Sequence, residues 1–342
     1  MNPVTVPPVV EGGALIIGPS GSGKTSLLAT LPTAADLASL DDPGLYTVFA
    51  GNANMTELNE KARKVVTTGQ MDLHVNPSDR IADYEVVLRC REEVPQPAPA
   101  ARPPAAPAGL PPFPGSRVRV LPPPVPPPPP VYQQKDYKFR MIDGPGGGLF
   151  GTPDQDELVE RDVILAYRQQ LVAHGRMSDG LMICLDATDT ACSGKFFTDL
   201  PKILAEMASN HVLRFSRVAL VITKADRKCA PGPGAQTETE RNDPWDLAPK
   251  LLGAGGLMRL LNHLKPEVRP NVHCGWSSIY GFYPQDGSPN YDRQTGRMLG
   301  WDVNGADAMH TWRPFRVLDP FVFLATGKAL NMRPIPRQMI PH

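Results

Sequence analysis

Gly18-Pro19-Ser20-Gly21-Ser22-Gly23-Lys24-Thr25 is the stretch on which the reading of this chain turns. It matches GxxxxGK[ST], and its surroundings match too: the apolar run Ala14 to Ile17 reads as a short strand before it, and Gly23 to Thr30 opens a helix after it. A strand–loop–helix context is what the motif needs to hold phosphate. Glycines let backbone N–H groups curl around the anion, and the helix N-terminus adds a favourable dipole. Gly18, Ser20, Gly21, Ser22, Gly23 and Ser26 are the expected cradle. Lys24 is expected to bridge the β- and γ-phosphates, and the Thr25 hydroxyl to ligate Mg²⁺. The motif alone selects neither a base nor a reaction; an ABC-type ATPase or a nucleotide kinase would carry it equally well.

Outward from the loop, strand-like and helix-like segments alternate. Gln155 to Ala173 is expected to be helical, with Leu158, Val159, Val163, Ile164 and Tyr167 at helical spacing. Leu181 to Leu185, Arg217 to Thr223 and Asn271 to Trp276 read as strands, Phe196 to Ala208 and Pro249 to Leu264 as helices. Tyr84 to Leu88 and Tyr137 to Ile142 read as two further strands. The alternation predicts an α/β fold, a P-loop NTPase three-layer sandwich with a mostly parallel sheet.

Between the strands at Tyr84 and Tyr137 lies the strongest compositional feature, 17 of the chain's 40 prolines within the 36 residues from Pro95 to Pro130. Proline lacks an N–H and resists both helix and sheet interior, so this tract is expected to be polyproline-like or disordered. It reads as a surface insertion, either a spacer or a docking site for a polyproline-binding module. The expected organisation is an N-terminal tail over 1–12, one domain over 13–92 and 136–330, a proline-rich insertion over 93–135, and a C-terminal tail over 331–342.

The 342 residues carry no net charge, which gives no electrostatic case for nucleic acid or an anionic membrane. Five cysteines, Cys90, Cys184, Cys192, Cys229 and Cys274, form no close pair, which suits a reducing cytoplasm and a cytoplasmic location. No apolar run reaches membrane-spanning length, and Met1 to Val10 has no basic leader region. The seven histidines show no metal-ligand spacing.

Three further motifs follow in order, each at the end of an expected strand, where open α/β sheets bind ligands. Asp143-Gly144-Pro145-Gly146 offers a carboxylate for Mg²⁺, directly or through water, and a Gly146 N–H for the γ-phosphate. Thr223-Lys224-Ala225-Asp226 offers a carboxylate able to accept from guanine N1–H and the 2-amino group, donors that adenine lacks. Trp276-Ser277-Ser278-Ile279 follows the last strand. In this order the segments resemble the DxxG, NKxD and SAK motifs of TRAFAC-class P-loop GTPases, with Thr223 in the Asn position. The likeness spans about Gly13 to Gly281, interrupted by the proline tract. Leu185-Asp186-Ala187-Thr188 and the stretch Trp312-Arg313-Pro314-Phe315-Arg316-Val317-Leu318-Asp319-Pro320 add a likeness to bacterial double-GTPase domains. The resemblance implies GTP or GDP with Mg²⁺, Lys224 over the base plane, a backbone N–H in the Ser277-Ser278 loop meeting guanine O6, and a protein effector or activator as partner.

The pattern also departs from that class. No switch-I threonine stands out in the long segment between Thr25 and Asp143; Ser78 is the best candidate metal ligand there, with Thr67 and Thr68 as alternatives. Gly147 occupies the position where a water-orienting glutamine would follow DxxG, and Gln155 is the nearest substitute. Asp186 reads as structural. The expectation is a GTP-binding switch whose hydrolysis is slow or partner-stimulated. A nucleotide-dependent scaffold with negligible hydrolysis and an ATP-using P-loop enzyme are the alternatives.

Overall fold

Leu15, Ile16 and Ile17 have helix-covered sheet on both sides, which is why the strand before the phosphate loop is apolar at every position from Ala14 to Ile17 rather than alternating. The computed structural model describes residues 9–19, 21–40, 42–64, 81–94, 131–143, 161–189, 194–208, 213–230, 232–253, 255–292, 298 and 312–341. Within them the chain runs through β1 (Val9–Ile17), α1 (Lys24–Ala38), β2 (Tyr46–Ala50), α2 (Ala53–Arg63), β3 (Ala82–Val94) and β4 (Val131–Asp143). It continues through α3 (Arg161–Met177), β5 (Gly180–Asp186), α4 (Gly194–Met207), β6 (Arg217–Thr223), α5 (Ala225–Lys228) and α6 (Ala235–Arg241). The last elements are α7 (Ala248–Leu251), α8 (Gly256–His263), β7 (Val272–Trp276), α9 (Asp319–Thr326) and β8 (Arg333–Pro334).

These strands form one eight-stranded sheet in the order β2-β3-β4-β1-β5-β6-β7-β8. The pairings of β1 with β4 and β5, of β5 with β6 and of β6 with β7 are parallel; β2–β3, β3–β4 and β7–β8 are antiparallel. The sheet is therefore mixed, a five-strand parallel centre with antiparallel edges, four of its seven pairings being parallel. The physical reason lies in connectivity: neighbouring antiparallel strands need no crossover helix, and β3 and β4 pair along their whole lengths, from Ala82↔Asp143 to Val94↔Val131.

Side-chain alternation along these strands feeds two cores. On one face Leu15, Ile17, Leu181, Ile183, Leu220 and Ile222 meet α3, α4 and α8. On the other, Ile16, Phe139, Met141, Met182, Cys184 and Val221 meet α1, α2 and α9. Helices on both faces of one sheet make a three-layer sandwich.

Several expected boundaries move. β1 starts at Val9, so the sheet reaches into the segment read as an N-terminal tail. Arg333–Pro334 pairs with β7 and both Met332 and Ile335 are buried, so 331–342 is not a bare tail. The helix expected over Pro249 to Leu264 is two helices, α7 and α8, because Gly253 (φ 76°) and Gly255 (φ 77°) break it with left-handed backbone. The proline tract 95–130 lies outside the described residues, as do Ser20, Thr67, Thr68, Ser78, Gly146, Gly147 and Gln155.

Candidate functional site

The C-terminal ends of β1, β4, β6 and β7 open on one edge of the sheet, and β1, at its centre, has parallel neighbours on both sides. That is where an open α/β sheet leaves a crevice. The phosphate loop leaves β1 here. A Cβ on Gly18 would lie 2.5 Å from Cys184 O and 2.7 Å from Ser22 Oγ, so only glycine lets the loop pass this close to β5. Gly23, at φ 79°, is the N-cap of α1 and brings no side-chain cap to its first N–H groups. An uncapped helix start behind a tight loop is the arrangement that receives an anion. Lys24 is buried, and its Nζ folds back to Gly18 O at 3.0 Å and Pro19 O at 2.9 Å. Nearby, burial pushes the Cys184 thiol up to about 12 against the pull of the Lys24 charge, which keeps it a neutral packing group.

Two remote segments close on this loop. The Thr25 hydroxyl donates to Asp143 Oδ2 at 2.9 Å, across 118 residues of sequence. The β4 pairings that carry Asp143 there are flanked by Tyr84 and Tyr167, whose hydroxyls are pushed above their ordinary value, first by burial and then by the charge of Asp143. On the other side, Thr223 Oγ1 lies 2.8 Å from Ser22 O and 3.0 Å from Leu185 O, so its proton is shared between the phosphate loop and β5. Thr223, in the Asn position of the resembling motif, thus bridges the phosphate loop and β5 through its side chain.

Lys224 follows in left-handed backbone (φ 56°), and its ammonium sits 2.5 Å from Asp186 Oδ2. The other Asp186 oxygen accepts from Thr188 N at 2.8 Å and Thr188 Oγ1 at 2.7 Å. The structural reading of Asp186 therefore acquires a specific content: it anchors Lys224. Asp226 opens α5 and is 2% exposed.

The last loop departs from expectation. Ser277 N donates to Ile222 O at 2.8 Å, and Ser278 N donates to Phe315 O at 3.0 Å. Neither N–H is left for a base in this arrangement, and the next along the loop is that of Ile279. The reason is the segment 312–318, whose Phe315 pairs with Ser278 as an antiparallel bridge. Its role is not legible from the loop's own sequence.

Do these residues fit a nucleotide and its metal? Among the described residues, Ser22 Oγ and Ser277 Oγ are buried without a hydrogen-bond partner, one in the phosphate loop and one in the last loop. Buried hydroxyls are normally satisfied, and a polar ligand on this edge would do so. The oxygen pair Thr25–Asp143 suits a hard cation. Among the described residues no group of three or more His, Cys, Asp or Glu is placed to hold a metal, so such a cation would depend on phosphate oxygens as well. No described helix is long and apolar enough to cross a membrane.

No protein-family model matches the chain, and no curated protein matches it. Among solved structures it is similar to the Saccharomyces cerevisiae Ski7 GTPase-like domain bound to GTP, at 13% identity and a TM-score of 0.27. That match covers 64% of this chain and 35% of the Ski7 chain, so this protein spans about a third of it. It is also similar to the GTP form of the signal recognition particle receptor SRb/SRX complex from Chaetomium thermophilum. There the identity is 15% and the TM-score 0.30, covering 81% of this chain and 94% of the other.

Proposed function

We propose that the protein is a GTP-binding switch that uses Mg²⁺ and hydrolyses GTP slowly or with the help of a protein partner. One observation carries this reading: two separately encoded strand ends, those of Asp143 and Thr223, are both hydrogen-bonded to the same phosphate loop. The residues that would hold the triphosphate are Gly18, Ser20 to Ser26 and Gly146. Thr25 and Asp143, with Ser78 as the further candidate, would hold Mg²⁺. Thr223, Lys224 and Asp226, with the loop at Ser277 and Ser278, would read guanine. When bound, the metal would neutralise charge on the β- and γ-phosphates. The chain's own part is to bind and orient: Lys24 leaves two backbone carbonyls for the phosphates, and Asp226 selects the base.

The slow or assisted character rests on Gly147, which stands where a water-orienting glutamine is otherwise found. The same observation favours a second reading, a nucleotide-dependent scaffold whose output is binding alone, with the proline tract as a docking segment for a polyproline-reading partner. A cytoplasmic location fits both. The test of the main reading is to identify the nucleotide that copurifies with the full chain and to measure single-turnover hydrolysis with and without cell extract. Bound GDP or GTP supports it, bound adenine nucleotide overturns it, and guanine nucleotide with no turnover in either condition selects the scaffold.

A further inference from the structure

The loop that follows β7 is held from outside by the segment 312–318. Ser278 and Phe315 exchange both backbone hydrogen bonds, at 3.0 and 2.8 Å. The indole of Trp312, 2% exposed, donates to Ile279 O at 2.7 Å. Gly281 forms a bridge with Arg313 so close that a Cβ there would lie 1.7 Å from Arg313 O. Ser278 Oγ accepts from Gly281 N at 2.9 Å and closes the loop on itself. Finally, Ala225 N donates to Ser277 O at 3.1 Å, tying the loop to the residue beside Asp226. A five-residue loop does not need this many anchors to leave a sheet. The anchors fix where its remaining N–H groups point.

We propose that Trp312 is a positioning residue for recognition of the purine C6 oxygen, acting through Ile279, whose N–H is the next in the loop after those taken by Ile222 and Phe315. The inference rests on the guanine reading given above. It divides base recognition in two. Asp226, in α5 just after β6, answers for N1–H and the 2-amino group. The Ser277–Gly281 loop, braced by Trp312, answers for O6. Each half should fail without the other when its support is removed.

The experiment uses the full chain and four probes: GTP, ATP, 6-thio-GTP, whose sulfur accepts hydrogen bonds poorly at C6, and ITP, which lacks the 2-amino group. Trp312→Phe keeps an aromatic ring but deletes the indole N–H together with the pyrrole half of the indole, so the melting temperature is read beside the affinities. The expected result is a fall of about 5-fold in the GTP to 6-thio-GTP affinity ratio, the scale of one neutral hydrogen bond. The GTP to ITP ratio and the affinity for inorganic triphosphate with Mg²⁺ should stay unchanged. Ser278→Ala, which removes the acceptor for Gly281 N, should give the same signature and guards against a folding defect in the first variant. An unchanged 6-thio-GTP ratio in both variants, or an equal fall in both ratios, overturns the proposal. If the unmodified chain fails to prefer GTP over ATP, the guanine reading itself falls, and the two failures are thereby told apart.

Discussion

On the proposed function, replacing Asp226 by Asn should shift the base preference from guanine to xanthine. Asp226 is 2% exposed at the start of α5, two residues past the left-handed turn at Lys224, and the isosteric amide fits the same space. The carboxylate can only accept. It suits guanine, which presents two donors on that edge, N1–H and the 2-amino group. The amide replaces one acceptor oxygen by an NH₂ donor, which then faces the guanine 2-amino group. Two charge-assisted hydrogen bonds are at stake, each about 1.5–3 kcal/mol, so GTP affinity should fall by roughly two to four decades. Xanthine carries a carbonyl at C2, which accepts from the new NH₂, so XTP affinity should rise in the same variant. Competition of GTP, XTP and ATP against a fluorescent guanine nucleotide reads all three. The reasoning is refuted if Asp226→Asn retains wild-type GTP preference or gains nothing with XTP while its melting temperature is unchanged.

Three other outcomes follow from the geometry. Thr25→Val removes the hydroxyl that donates to Asp143; it should cost about 1 kcal/mol in the nucleotide-free protein by urea denaturation and bring the ratio of GTP affinity with and without Mg²⁺ toward one. Burial, against the Phe323 ring 4.2 Å away for His273, holds both His174 and His273 below their ordinary 6.5. The unfolded chain therefore takes up these protons first as pH falls through 6.5, so stability is full above that value and declines below it; His273→Phe should flatten the decline in urea midpoint between about pH 7 and pH 5. Lys224→Gly and Asp186→Asn both remove the ion pair between them, but the glycine also recovers roughly 1 kcal/mol of left-handed backbone cost, so Asp186→Asn should be the more destabilising of the two in denaturant titrations.

What was legible in the sequence is what is local. The phosphate loop, the strand end at Asp143 and the turn at Thr223 each announce themselves within eight residues, and the structure brings all three to one edge of the sheet. Elements specified by tertiary context were not legible. α9 is buried from Asp319 to Ala325, so it shows no amphipathic period and passed for part of a family-like stretch. β8 is two residues, Arg333–Pro334, and exists only because β7 offers it an edge. β2 reads Tyr46-Thr47-Val48-Phe49-Ala50, short and half-exposed, with no turn signal strong enough to mark it. α2 did carry a stripe, Met55, Leu58 and Ala62, that sequence reading passed over. α1 runs through Pro32 to Ala38, well beyond the Gly23 to Thr30 stretch that opens it. The brace on the last loop could not be foreseen, since Trp312 and Ile279 are 33 residues apart and share no motif.

On the proposed function, the Thr25–Asp143 contact bears on how Asp143 would serve Mg²⁺, which the sequence leaves open as directly or through water. A hydroxyl has one proton and two lone pairs. Here the proton is committed to Asp143 Oδ2 at 2.9 Å, which turns the lone pairs away from the carboxylate. A hydroxyl so polarised is a better oxygen ligand, and a carboxylate so engaged is the group that orients it, the arrangement found around many bound cations. On the proposed function, Thr25 would offer Mg²⁺ a hydroxyl that Asp143 orients, and both residues would serve the same cation. This shared role explains why the contact forms between α1 and β4 at all. α1 starts at a helix terminus, where a side chain is free to turn, whereas Asp143 ends a strand paired on both sides, with β1 through Met141 and with β3 through Asp143 itself. The paired strand holds the Thr25 hydroxyl in place, so on the proposed function binding energy need not be spent on assembling this part of the cradle.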